Sequence, residues 1–140
     1  MRCAGLTALV ICSCAPPSTS VTTVVFDGMT YTITGKVSCT AQPDGKLVIL
    51  VNENGGRKSI RVLLSHDARL VVQKVSLRYL DAAGYVADPG EVVATKVDGT
   101  YTFTGRMPPN PGEKQWHLFK IEATCEDVKP FSPPQPGIAG

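Results

Sequence analysis

The chain has 140 residues, 14 of them basic and 12 acidic, with five cysteines. That length supports one domain with a proper core. The near balance of charge, with no run of basic residues, excludes strong attraction to nucleic acid or to an anionic membrane.

Residues 1–13 read as a lipoprotein signal peptide. Arg2 gives a positive start, and Ala4 to Ile11 form a short apolar run. A helix crossing the hydrocarbon core needs roughly 20 apolar residues, so this run suits the h-region of a cleaved signal. Ile11-Cys12-Ser13-Cys14 ends it and resembles a bacterial lipobox, a branched apolar residue three positions before the lipid-accepting Cys. Cleavage before Cys14 then leaves a thiol to carry diacylglycerol and an amine to carry a further acyl chain such as palmitate. Cys12 is the rival acceptor, but Ile11 is bulky where a small residue is wanted. An apolar cytosolic N-terminus with incidental cysteines is the plain alternative.

Residues 14–23 (CAPPSTSVTT) combine this Cys with a Pro, Ser and Thr-rich spacer that cannot build a core. Its threonines are acceptors for O-glycosylation in an organism that performs it, or belong to an unmodified linker. From residue 24 to 128 the pattern is β. Tyr31, Ile33, Val37 and Cys39 share one face, with Thr30, Thr32, Thr34, Lys36 and Ser38 opposite. Leu47 to Val51 is an unbroken apolar run suited to a central strand. Ile60, Val62 and Leu64 alternate, as do Val75, Leu77 and Tyr79. Val92 to Val97 is a shorter candidate, followed by the alternation of Tyr101, Phe103 and Met107, then of Phe119, Ile121, Ala123 and Cys125. Asp27-Gly28, Pro43-Asp44-Gly45, Asn54-Gly55-Gly56, Asp88-Pro89-Gly90 and Asp98-Gly99 supply turns between them. Residues 129–140 carry four prolines and read as an extended, disordered tail. The expected fold is all-β: a single antiparallel β-sandwich or a strongly curved, partly closed sheet with one disulfide.

That disulfide follows from cysteine parity. Cys3 and Cys12 leave with the signal and Cys14 takes lipid, so Cys39 and Cys125 remain. Two distant cysteines in an exported chain are expected to pair. The sequence also echoes itself: Asp27 to Lys36 (DGMTYTITGK) returns as Asp98 to Arg106 (DGTYTFTGR). Two similar hairpin arms explain this, and an ancestral duplication is the alternative.

Three stretches resemble the mycobacterial 19 kDa lipoprotein antigen family, most of all a short-chain branch of it. Val25 to Gly28 with Thr34 to Thr40 looks like its first strands and first Cys. Asp98 to Gly105 resembles its late Tyr-x-x-Thr-Gly strand, and Phe119 to Cys125 its terminal strand and second Cys. The resemblance runs over roughly residues 14 to 126, with the middle alike only in style. It implies an antigenic envelope lipoprotein on the outer face of the cell membrane, recognised by host innate receptors through its acyl chains. It implies no enzyme activity.

Motifs for chemistry are sparse. His66 beside Asp67 is not a dyad, because sequence neighbours point to opposite sides of a strand. His117 follows Trp116 at the start of the last strand. There is no nucleophile elbow, no His-Glu-x-x-His and no calcium-loop spacing, so no catalytic residue, metal ligand or cofactor is expected. Glu53, Asn54 and Glu113 read as solvated turn residues. The competing functional class is a carrier that encloses a lipid or other apolar ligand, lined by Leu47 to Val51, Ile60 to Leu64 and Leu70 to Val75. The same residues also serve as ordinary core.

Overall fold

Alternation of apolar and polar residues becomes one antiparallel sheet in which every strand keeps a single inward face. The computed structural model describes residues 20–53, 56–66 and 69–130. Nine strands follow in chain order: β1 (Ser20–Phe26), β2 (Met29–Ala41), β3 (Lys46–Asn52), β4 (Lys58–His66), β5 (Leu70–Tyr79), β6 (Ala82–Val86), β7 (Val92–Val97), β8 (Thr100–Met107) and β9 (His117–Thr124). They are hydrogen-bonded in the order β6-β5-β4-β3-β2-β1-β9-β8-β7. A two-residue strand β10 (Lys129–Pro130) adds a short parallel pairing to Thr40 and Ala41 of β2.

The sheet folds over on itself at β2. Residues 29–35 of β2 pair with β1, whereas residues 36–41 pair with β3. The switch falls at Gly35, where a β-carbon would strike the backbone carbonyl of Asn52 at the end of β3. Only glycine allows that approach. Two wings result, β2–β6 on one side and β7, β8, β9, β1 and the first half of β2 on the other. Their free ends come together, β7 lying beside β5 and β8 near β6, with no ladder joining them. The sheet is strongly curved and not closed, in agreement with the sequence reading.

Between the wings lies the core. Ile33, Ile49, Val62, Leu64, Val75, Phe103, Met107 and Ile121 are completely buried. Thr22 is the one polar side chain buried among the described residues; it faces inward beside Val24, and its hydroxyl has no partner. Cys39 and Cys125 are bonded, as parity predicts, 86 residues apart in sequence. Cys39 sits on the β3-paired half of β2 and Cys125 just after β9, so the bond joins the two wings.

Two boundaries move. Ser20–Thr23, read as the end of the spacer, pair with Thr32–Gly35 as part of β1. Lys129 and Pro130, read as the start of the tail, pair with β2, and residues 131–140 lie outside the described residues. Strand β6 was not read from the sequence at all. Its AAGYV segment has no alternation, and it forms because Gly84 leaves room for the Met107 sulfur and the Phe26 ring.

Candidate functional site

The sequence-derived lipid acceptor Cys14 lies outside the described residues, as do Asn54, Asp67 and the side chain of His66. Strand β4 ends at His66, whose backbone faces Leu70. Glu53 pairs with Lys58 at 3.4 Å rather than standing free in solvent.

One cluster of titratable side chains forms where the sequence showed only isolated residues. His117 opens β9, with its side chain 13% exposed and its ring stacked on Phe26 at 4.9 Å. Its Nδ1 lies 2.7 Å from Oδ2 of Asp27 and its Nε2 lies 2.6 Å from Oε1 of Glu113. Asp27 reaches it because Asp27 and Gly28 both take positive φ, 52° and 83°, in the tight two-residue turn between β1 and β2. The turn is fixed on β9 from both sides. The Leu118 amide donates to Asp27 Oδ1, and the Asp27 amide donates to the Leu118 carbonyl.

Glu113 belongs to the loop between β8 and β9. Its Oε1 also accepts the Asn110 amide at 2.9 Å, and the Asn110 side-chain amide donates to the Ala83 carbonyl of β6 at 2.8 Å. Glu113 is exposed, as a solvated turn residue would be, and it also links β9 to the loop through these bonds. Hydrogen bonds to Asp27, and then to Glu113, raise the His117 pKa above its ordinary 6.5. The Asn110 amide, and then His117, hold the Glu113 carboxyl below its ordinary 4.5. With both ring nitrogens bonded to carboxylates, a protonated His117 satisfies both.

An open concavity of about 730 Å³ lies beside this cluster, lined by Met29, Tyr31, Asp81 and Pro111 as well as the cluster itself. Chemically the arrangement is a latch. Both nitrogens of His117 are occupied, and no Ser, Thr or Cys nucleophile is among the residues lining the concavity. Among the described residues no group of three or more His, Cys, Asp and Glu is placed to hold a metal ion.

Of the aliphatic residues proposed as a carrier lining, Leu50 and Leu63 lie on the outward face and the alternate ones turn inward. Leu47, Ile49, Val51, Ile60, Val62, Leu64, Val72 and Val75 are all buried in the core cluster. Among the described residues no helix is long and apolar enough to cross a membrane. Sequence reasoning missed the latch because its members lie far apart; Asp27 and His117 are 90 residues distant. The recurrence of an Asp-Gly turn was the one available signal.

The family model of the Mycobacterium 19 kDa lipoprotein antigen matches residues 15–125, from the position after Cys14 to the second disulfide cysteine. No curated protein matches the chain.

Proposed function

The chain belongs to the mycobacterial 19 kDa lipoprotein antigen family, and from that membership we propose that it is a non-enzymatic lipoprotein of the cell envelope, anchored through acylated Cys14. The family match over residues 15–125 carries this reading, because the matched region follows directly on the lipobox-like Ile11-Cys12-Ser13-Cys14. Two acyl chains on one residue suffice for stable attachment to a membrane. The disulfide between the wings is the form expected of a domain in an oxidising compartment. Residues 15–19 would then be the whole spacer between lipid and domain.

Display rather than chemistry is the role this arrangement supports. Host innate receptors would meet the acylated N-terminus, and the β-domain would present its outer faces as antigenic surface. A carrier role has less support, since the aliphatic residues that would line a cavity are packed against one another in the core.

Intact mass of the chain expressed in an actinobacterial host tests the anchor, alongside a Cys14→Ala variant. The expected mature species starts at Cys14, carries two or three acyl chains and partitions into detergent; the variant loses both properties. A wild-type chain of unprocessed mass that stays in the aqueous phase would overturn the reading.

A further inference from the structure

The cations are scattered along the sequence, but folding gathers four of them on one face. Lys36 of β2, Arg61 of β4 and Lys74 and Arg78 of β5 all point outward from the β2–β6 wing, and all four are exposed. The register places them in neighbouring rows: Lys36–Asn52–Ser59–Arg78, then Leu50–Arg61–Ser76–Tyr85, then Val48–Leu63–Lys74. These three rows contain no carboxylate. Among the described residues none of the four cations is ion-paired, although Lys46, Lys58 and Arg106 are. Interleaved with the charges are Leu50 and Leu63, half-buried, and Tyr85, 49% exposed at the edge strand. The array crosses five strands, about 19 Å at the spacing of a sheet, which is wide for a small anion and suits a surface.

We propose that this face is a docking surface for the anionic headgroups of a phospholipid membrane. Two observations select that occupant. Charge complementarity is one: exposed Lys and Arg with leucines and a tyrosine between them are the chemistry that binds at a charged lipid interface. The place where the chain enters is the other. Ser20, the first residue of β1, pairs with Gly35, and Ser20 and Lys36 line the same depression, which Glu126, Asp127 and Lys129 also line. Cys14 is six residues upstream of Ser20, at most about 21 Å of extended chain. An acyl group there keeps the Lys36 edge next to the bilayer, and the basic face then lies down on it. The choice of a lipid surface over another polyanion rests on the anchoring reading above. The near balance of charge over the whole chain conceals this face, and the proposed docking departs from what that balance alone leads one to expect of an anionic membrane.

The test removes the anchor. The full chain carrying Cys14→Ala is floated with vesicles of neutral phosphatidylcholine and with vesicles that also contain phosphatidylglycerol, at low and high salt. The expected result is about tenfold or greater preference for the anionic vesicles, weakened by salt. Arg61→Glu with Arg78→Glu abolishes the preference. Lys96→Glu with Lys120→Glu, the same charge change on the other wing, leaves most of it. Arg61→Gln with Arg78→Gln gives an intermediate value and covers the case in which charge reversal disturbs folding. Equal binding to both vesicles, equal loss in the two double variants, or displacement by soluble glycerol phosphate would each overturn the proposal. Because Cys14 is absent from the assay, such a failure leaves the anchor itself to be judged by mass.

Discussion

The two wings share one core and present opposite exteriors. Outward positions on the β1, β8 and β9 wing are dominated by threonine. Thr95, Thr102, Thr23 and Thr32 run across neighbouring strands with Glu122 between them, and Thr104 and Thr30 occupy the next row with Lys120. Its charged residues are balanced, Lys120 beside Glu122 and Arg106 bonded to Glu91 at 2.7 Å. The β2–β6 wing carries cations without carboxylates across the same positions. Apart from Thr22, the buried inward residues on both wings are apolar and are fixed by packing. The difference therefore lies where folding places no demand, and a surface pattern that folding does not require is where interaction is to be sought.

What holds such unlike wings together is placed at the two ends of β9. At one end is the Cys39–Cys125 bond; at the other is the chain of contacts from Asp27 through His117, Glu113 and Asn110 to Ala83. The eight residues of β9 separate them by about 26 Å. The covalent link has the larger expected effect. Closing an 86-residue separation stabilises the folded state by about 4.6 kcal/mol in the chain-entropy model. Cys39→Ser with Cys125→Ser, or mild reduction, is expected to cost about that amount in denaturant unfolding. A loss below about 1 kcal/mol would mean that packing alone keeps the wings together.

The next effect comes from the two glycines of the internal echo. Gly35 and Gly105 occupy equivalent places in β2 and β8, each the second arm of a hairpin. A β-carbon at Gly35 would meet the Asn52 carbonyl, and one at Gly105 the Glu91 carbonyl. Alanine ordinarily gains up to about 1 kcal/mol over glycine by restricting the unfolded chain. Here overpacking against backbone, about 1–3 kcal/mol, is expected to win. Gly35→Ala and Gly105→Ala should both unfold at lower denaturant than the wild type. Gly28→Ala, where a β-carbon meets nothing within 4 Å, tests backbone strain separately because Gly28 has φ 83°. A neutral Gly35→Ala would show that the fold at β2 is not set by this close approach.

These comparisons also show what was legible in the sequence. Period-2 alternation exposed β2, β4, β8 and β9, and the apolar side of each is the side that is buried. Cysteine parity gave the correct pair because only two remained after export was assumed. The start of β1 was hidden by Ser20, Thr22 and Thr23, residues equally suited to a linker and to an outward strand face. Strand β6 was hidden by its small residues. The latch and the basic face were out of reach for a different reason. Each gathers residues from several strands, and neither register nor fold-back at Gly35 can be read from charge spacing along the chain.

The smallest expected effect is the pH response of the latch, and its sign follows from the two shifts. Hydrogen bonds to Asp27 and then Glu113 raise the His117 pKa above 6.5, so its contribution is full below about pH 6.5 and is lost as pH rises through the folded value. Glu113 is held below 4.5 by the Asn110 amide and His117, so its contribution is full above about pH 4.5 and is lost as pH falls through its folded value. The latch is therefore tightest between about pH 4.5 and 6.5. Melting temperature measured across that range and up to pH 8.5 should decline on the alkaline side in the wild type, and His117→Gln should flatten that limb. The carboxylates are largely solvent-facing, with side-chain exposures of 45% for Asp27 and 42% for Glu113, so screening keeps the change small and salt reduces it further. Reduction of the Cys39–Cys125 bond should enlarge it, because the far end of β9 would then hold the wings without covalent help. An alkaline decline of the same size in His117→Gln and wild type would assign the pH response to other groups and leave His117 without a part in holding the two wings together.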